Sequence, residues 1–128
     1  PIEEDKAVKK EPQKLQHYMR IVISFSDFYK SALFYDQLSK ILPEYRIVID
    51  PPKQEVTDIL ICDSINFKLF VEENELKTDN VFLLLENKIE YSSLKKYNAK
   101  FFVKPFSLNK VIHQLYQALY FIKTKKEG

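Results

Sequence analysis

The chain has 128 residues, 45% of them apolar, and its 20 basic and 18 acidic side chains leave a net charge of +2. That length holds one sizeable core, and the near-balance of charge lacks the concentrated basic surface expected of a DNA-binding domain. The single glycine, Gly128, ends the chain, so no glycine-dependent phosphate loop is available, and the single cysteine, Cys62, excludes an intrachain disulfide and a cysteine-based zinc or iron–sulfur site.

Residues 1–18 mix charges with two prolines and few large apolar side chains. Such a stretch buries too little surface to offset the entropy of ordering it. It is expected to be a linker from an upstream domain or an expression tail, and the initial Pro1 suggests a piece of something longer. His17 falls in this linker, and neither it nor His113 has metal-binding spacing.

From Met19 the pattern changes. Arg20–Phe25 is a short β-branched apolar run, the mark of a strand buried on both faces. Ser26 and Asp27 offer a helix cap, because their side-chain oxygens can accept from free backbone N–H groups. A helix should follow, with Phe34, Leu38, Ile41 and Leu42 on one face, until Pro43 stops it. Tyr45–Ile49 reads as a second strand, Asp50-Pro51-Pro52-Lys53 as a rigid, non-helical connection, and Asp50–Thr57 as too short for a full helix with its turns.

Ile59–Cys62 reads as a third strand, Phe67–Leu76 as a helix, and Val81–Leu85 as a fourth strand. The acidic run Glu72-Glu73-Asn74-Glu75 is expected to be a solvated helix face. Ile89–Tyr97 reads as a helix closed by Asn98 in a left-handed conformation. Phe101–Val103 is the fifth strand. Ser107 caps a last helix striped by Leu108, Ile112, Leu115, Leu119 and Ile122, and residues 125–128 form a solvated tail.

Five apolar strands alternating with helices, with no tight hairpin, predict an α/β fold. Its form should be a flavodoxin-like, doubly wound, five-stranded parallel sheet of order 2-1-3-4-5, with the second helix reduced or missing. Residues 19–124 should form this domain. In such sheets chemistry gathers beyond the carboxyl ends of the strands. That places Ser24, Ser26, Asp27, Asp50, Asp63, Glu86 and Lys104 at one end.

Two segments resemble the receiver domain of two-component response regulators. Asp58-Ile59-Leu60-Ile61-Cys62-Asp63 is similar to the family's strand ending in a phospho-accepting aspartate. Phe101-Phe102-Val103-Lys104-Pro105-Phe106-Ser107 is similar to its lysine-proline turn. The resemblance implies Asp63 as phosphoacceptor, Lys104 as the lysine that senses the phosphoryl oxygens, and a Mg²⁺ ion held by an acidic pair after the first strand. Physically, a carboxylate attacking a phosphoryl group needs pre-placed cations against like-charge repulsion.

The departures from the pattern are specific. Ser24-Phe25-Ser26 stands where the acidic pair belongs, Leu84 and Leu85 where a hydroxyl latch belongs, and Phe101 where a switch aromatic with a hydroxyl would stand. The expectation is therefore a degenerate receiver: no enzyme and no cofactor, with Asp63 salt-bridged to Lys104, Asp27 capping a helix, Glu86 solvated and Cys62 buried and inert. It would be a cytoplasmic interaction module of two-component signalling or a phosphorelay, without nucleic-acid or membrane binding of its own. Its surface would gather exposed members of Tyr91, Tyr97, Phe101, Phe106, Tyr116 and Tyr120 from the helix over 89–97, the fifth strand and the last helix. Partners would be other domains of the same chain, a signalling protein such as a histidine kinase, or a second copy. The alternative is a working phosphoacceptor on Asp63, with Asp27, Asp63 and Glu86 as unorthodox Mg²⁺ ligands.

Overall fold

A computed structural model describes residues 19–49 and 57–127. The expected linker with His17, the connection containing Asp50 and the question of a second helix there lie outside the described residues. Among the described residues the elements run β1 (Arg20–Ser24), α1 (Phe28–Ile41), β2 (Arg46–Ile49), β3 (Ile59–Cys62), α2 (Ser64–Glu72), β4 (Val81–Leu85), α3 (Lys88–Leu94), β5 (Lys100–Val103) and α4 (Leu108–Glu127). The strands form one all-parallel sheet in the order β2-β1-β3-β4-β5, the flavodoxin-like arrangement read from the sequence.

Side chains alternate across a strand, so each apolar run feeds two cores. Ile21, Ile23, Ile59, Ile61, Phe82 and Phe102 meet Phe34 and Leu38 of α1 and Val111, Leu115 and Leu119 of α4. Val22, Leu60, Cys62, Leu83 and Leu85 meet Phe67 of α2 and Leu94 of α3. All four residues of β3 are buried because helices cover both faces of the sheet's centre.

Polar groups close the turns between these layers. The buried Ser31 hydroxyl accepts from the Phe25 N–H at 3.0 Å and ties α1 to the end of β1. Asp27, Asp63, Asn87 and Ser107 each accept from a backbone N–H in the first turn of the helix that follows.

Several boundaries differ from the sequence reading. Tyr45 precedes β2, β5 begins at Lys100, and Ile41 is exposed on the flank of α1. Because Asp63 caps it, α2 starts at Ser64, and it ends at Glu72, short of Leu76. Asn74 then takes the left-handed conformation at φ 54°, with Glu75 N–H donating to Phe70 C=O and Asn74 N–H to Val71 C=O. That pair of bonds is a Schellman ending, which leaves Glu73–Glu75 beyond the helix rather than on its face. Asn98 has no such conformation, since α3 closes earlier at Leu94. α4 continues through Glu127, so residues 125–127 of the expected tail are helical. No helix among the described residues is long and apolar enough to cross a membrane.

Candidate functional site

The carboxyl ends of β1, β3, β4 and β5 bring together most of the residues singled out from the sequence. Asp63 leaves β3 and caps α2. Its Oδ1 accepts from Asn66 N–H at 3.0 Å, while Oδ2 accepts from Ser26 N–H at 2.8 Å and from the Ser26 hydroxyl at 2.6 Å. Asn66 in turn donates through Nδ2 to Ser24 Oγ at 2.9 Å. The Asp63 carboxylate is therefore a latch between the β1–α1 turn and the start of α2. Of the two serines that stand in place of an acidic pair, Ser26 donates to Asp63, while Ser24 accepts from Asn66.

Lys104 does not meet Asp63. Its Nζ lies 2.9 Å from Glu86 Oε2 and 3.2 Å from Oε1. Strand order supplies the reason. Leu85 is in register with Val103 on adjacent strands, so the next residues on each, Glu86 and Lys104, emerge side by side. Asp63 follows β3, which β4 separates from β5 by two strand spacings, roughly 10 Å. Glu86, expected to be solvated, is exposed and also pairs with a cation, and Lys30 of α1 stands 3.9 Å from its Oε2. The Glu86 N–H donates to the Glu90 side chain at 2.9 Å, which holds the β4–α3 turn.

Asp27 accepts from Tyr29 N–H at 2.9 Å as a helix cap. Among the described residues no three His, Cys, Asp or Glu side chains are grouped to hold a metal ion, so Asp27, Asp63 and Glu86 do not make a joint ligand set. Cys62 is fully buried under this rim. Burial, reinforced by the neighbouring Asp63 charge, pushes its thiol well above the ordinary value. His113 is exposed on α4, with Nε2 3.2 Å from Gln117 Nε2.

The six aromatic residues expected to share one surface divide. Tyr91 packs edge-on against Phe101 at 5.3 Å beside β5. Tyr97 turns inward onto Phe67 at 5.1 Å, and Phe106 packs on Phe102 at 6.3 Å. Tyr116 is exposed on α4, and desolvation, then Glu44 and Tyr116, push the Tyr45 phenol up. Tyr120 is exposed one helical turn beyond it.

Two features escaped the sequence reading. Phe28, Tyr29, Ile65 and Ile89 stand at the starts of α1, α2 and α3 with 58–80% of their surface exposed, an apolar rim beside the Asp63 latch. Their position one or two residues after each cap residue was the available signal. The second feature is basic charge concentrated around β5, which counting charge by segment would have found and the whole-chain balance concealed. No family model matches the chain, no curated protein matches it, and no solved structure matches it.

Proposed function

We propose that this domain is a degenerate receiver that works as a protein-interaction module in two-component signalling, without a phosphorylation switch of its own. The observation that carries the reading is the fate of two side chains. Asp63 is engaged on both oxygens by Ser26 and Asn66, and Lys104 is committed to Glu86. A phosphoacceptor needs a free carboxylate facing cations. Here the carboxylate faces Ser26 and a helix start, and the cation is answered by a neighbouring acid.

On this reading the domain has no enzymatic role and needs no Mg²⁺. It acts in the cytoplasm by docking another domain of its chain or a signalling partner such as a histidine kinase. The docking face is built from α3, β5 and α4, where Tyr91 and Phe101 lie together beside an open strand edge. Tyrosine suits such a face because it couples a large rigid area to a polar tip.

The test is incubation with Mg²⁺ and acetyl phosphate, followed by intact mass, and with beryllofluoride, followed by amide NMR. The expected result is an unchanged mass and unchanged spectra around residue 63. A stoichiometric phosphoryl adduct that disappears in Asp63→Asn would overturn the reading in favour of a working phosphoacceptor.

A further inference from the structure

Charge is partitioned along this chain. Residues 19–87 carry seven basic and twelve acidic side chains, whereas residues 88–126 carry nine lysines, no arginine and one acid, Glu90. The second segment builds α3, β5 and nearly all of α4, so the lysines of α3, β5 and the start of α4 gather on the β5 side of the sheet. Lys88, Lys95, Lys96, Lys100, Lys104 and Lys110 are all exposed. Lys104 is paired with Glu86, and Lys96 rests over the Tyr97 ring at 5.3 Å. No ion pair engages Lys95, Lys100 or Lys110 among the described residues.

The same edge has unfilled backbone capacity. Among the described residues β5 ends the sheet and pairs only with β4. Lys104 N–H points to β4, donating to Leu85 C=O at 2.9 Å. Backbone groups of a strand in a parallel sheet alternate between its two sides, so Phe101 and Val103 turn theirs to the open edge. Beside it runs an open groove of about 490 Å³, lined by Phe101, Phe102, Asn109, Lys110, His113 and Gln114.

We infer that the edge of β5 receives an extended acidic segment of a partner protein, added to the sheet as a further strand. The ladder groups of Phe101 and Val103 supply main-chain hydrogen bonds, the groove takes apolar side chains, and Lys100 and Lys110 meet the segment's carboxylates. The inference rests on the docking face proposed above and names the chemistry of its partner. A second copy of the chain is disfavoured, because edge-to-edge pairing sets these lysines against one another. Nucleic acid is disfavoured as well. A phosphodiester chain cannot continue a β-ladder, and the face lacks the arginine forks that grip phosphates in two-point fashion.

The experiment uses the full chain and a fluorescein-labelled ten-residue peptide of alternating Glu and Val. Its Lys/Val counterpart, a labelled oligo-dT of ten nucleotides and sedimentation of the protein alone form the other arms. Saturable anisotropy is expected for the acidic peptide only. Lys100→Glu/Lys110→Glu should weaken it at least tenfold, as should raising salt to 0.5 M. Shifts in the Phe101 and Val103 amides should mark the ladder. N-methylation of alternate peptide bonds should abolish binding. Absence of acidic-peptide binding, binding unaffected by the double variant, preferential oligo-dT binding, or self-association through β5 would each overturn the inference. None of these results changes the phosphodonor assay, and a phosphoryl adduct on Asp63 would leave peptide binding in place, so the two readings fail separately.

Discussion

The carboxyl rim around Asp63 and the outer edge of β5 belong to one sheet, yet they treat their polar groups in opposite ways. At the rim, Asp63 is satisfied by Ser26 and Asn66, Glu86 by Lys104, and Asp27 by the first turn of its helix. At the edge, no ion pair answers Lys100 or Lys110 among the described residues, and Phe101 and Val103 turn their backbone groups away from β4. Groups that satisfy one another inside a chain hold its parts together. Groups left open on a rigid scaffold are available to something else. On the reading proposed above, the rim around Asp63 serves as a structural clasp and the basic edge as the docking surface.

Substitutions beneath and within the two regions sharpen this contrast. The largest effect is expected from Phe67→Ala. Phe67 is buried under the Asp63 latch and packs on Tyr97, so its loss should cost about 3–5 kcal/mol in urea unfolding. The half-buried Phe101 at the basic edge should cost less when truncated. Equal losses would break the distinction between a clasped rim and an open edge.

Next comes Asp63→Ala, which removes a helix cap and the tie to Ser26. It should lower stability by about 1–2 kcal/mol, while Lys110→Ala should stay within about 0.5 kcal/mol of the parent. A neutral Asp63→Ala would mean that the carboxylate is held in reserve for some other task.

The smallest effect concerns alkaline pH. The Cys62 thiol is raised by burial above its ordinary 9.0, so above that pH the unfolded chain releases a proton that the folded chain keeps. Stability from this group is complete below pH 9 and declines as pH rises beyond it. Cys62→Ala should make the alkaline limb of the stability curve shallower. Tyr45→Phe should act in the same direction from a higher starting pH, since desolvation, Glu44 and Tyr116 raise its phenol above 10.0. An unchanged limb in Cys62→Ala would mean that the thiol is accessible in the native rim.

Much of the fold was legible because each element carries its own local signal. The apolar runs of β1, β3 and β4, the stripe on α4 and the caps at Asp27 and Ser107 are written in neighbouring residues. The helix after β3 was misplaced because its start depends on a cap whose carboxylate also serves a turn 37 residues away. The aromatic surface divided for a similar reason: ring type indicates interface chemistry, but the direction of each ring is set by its neighbours, Phe67 for Tyr97 and Phe102 for Phe106.

The sequence by itself determined the alternation of strands and helices and, through the rules of parallel crossovers, the order 2-1-3-4-5. Only the tertiary structure decided which charges meet. Lys104 and Glu86 pair because adjacent strands end level with each other, whereas Asp63, separated from Lys104 by the intervening β4, finds its donors on the turn after β1. Local chemistry specifies what a side chain can do; strand neighbourhood, set by contacts distant along the chain, specifies with which partner it does so.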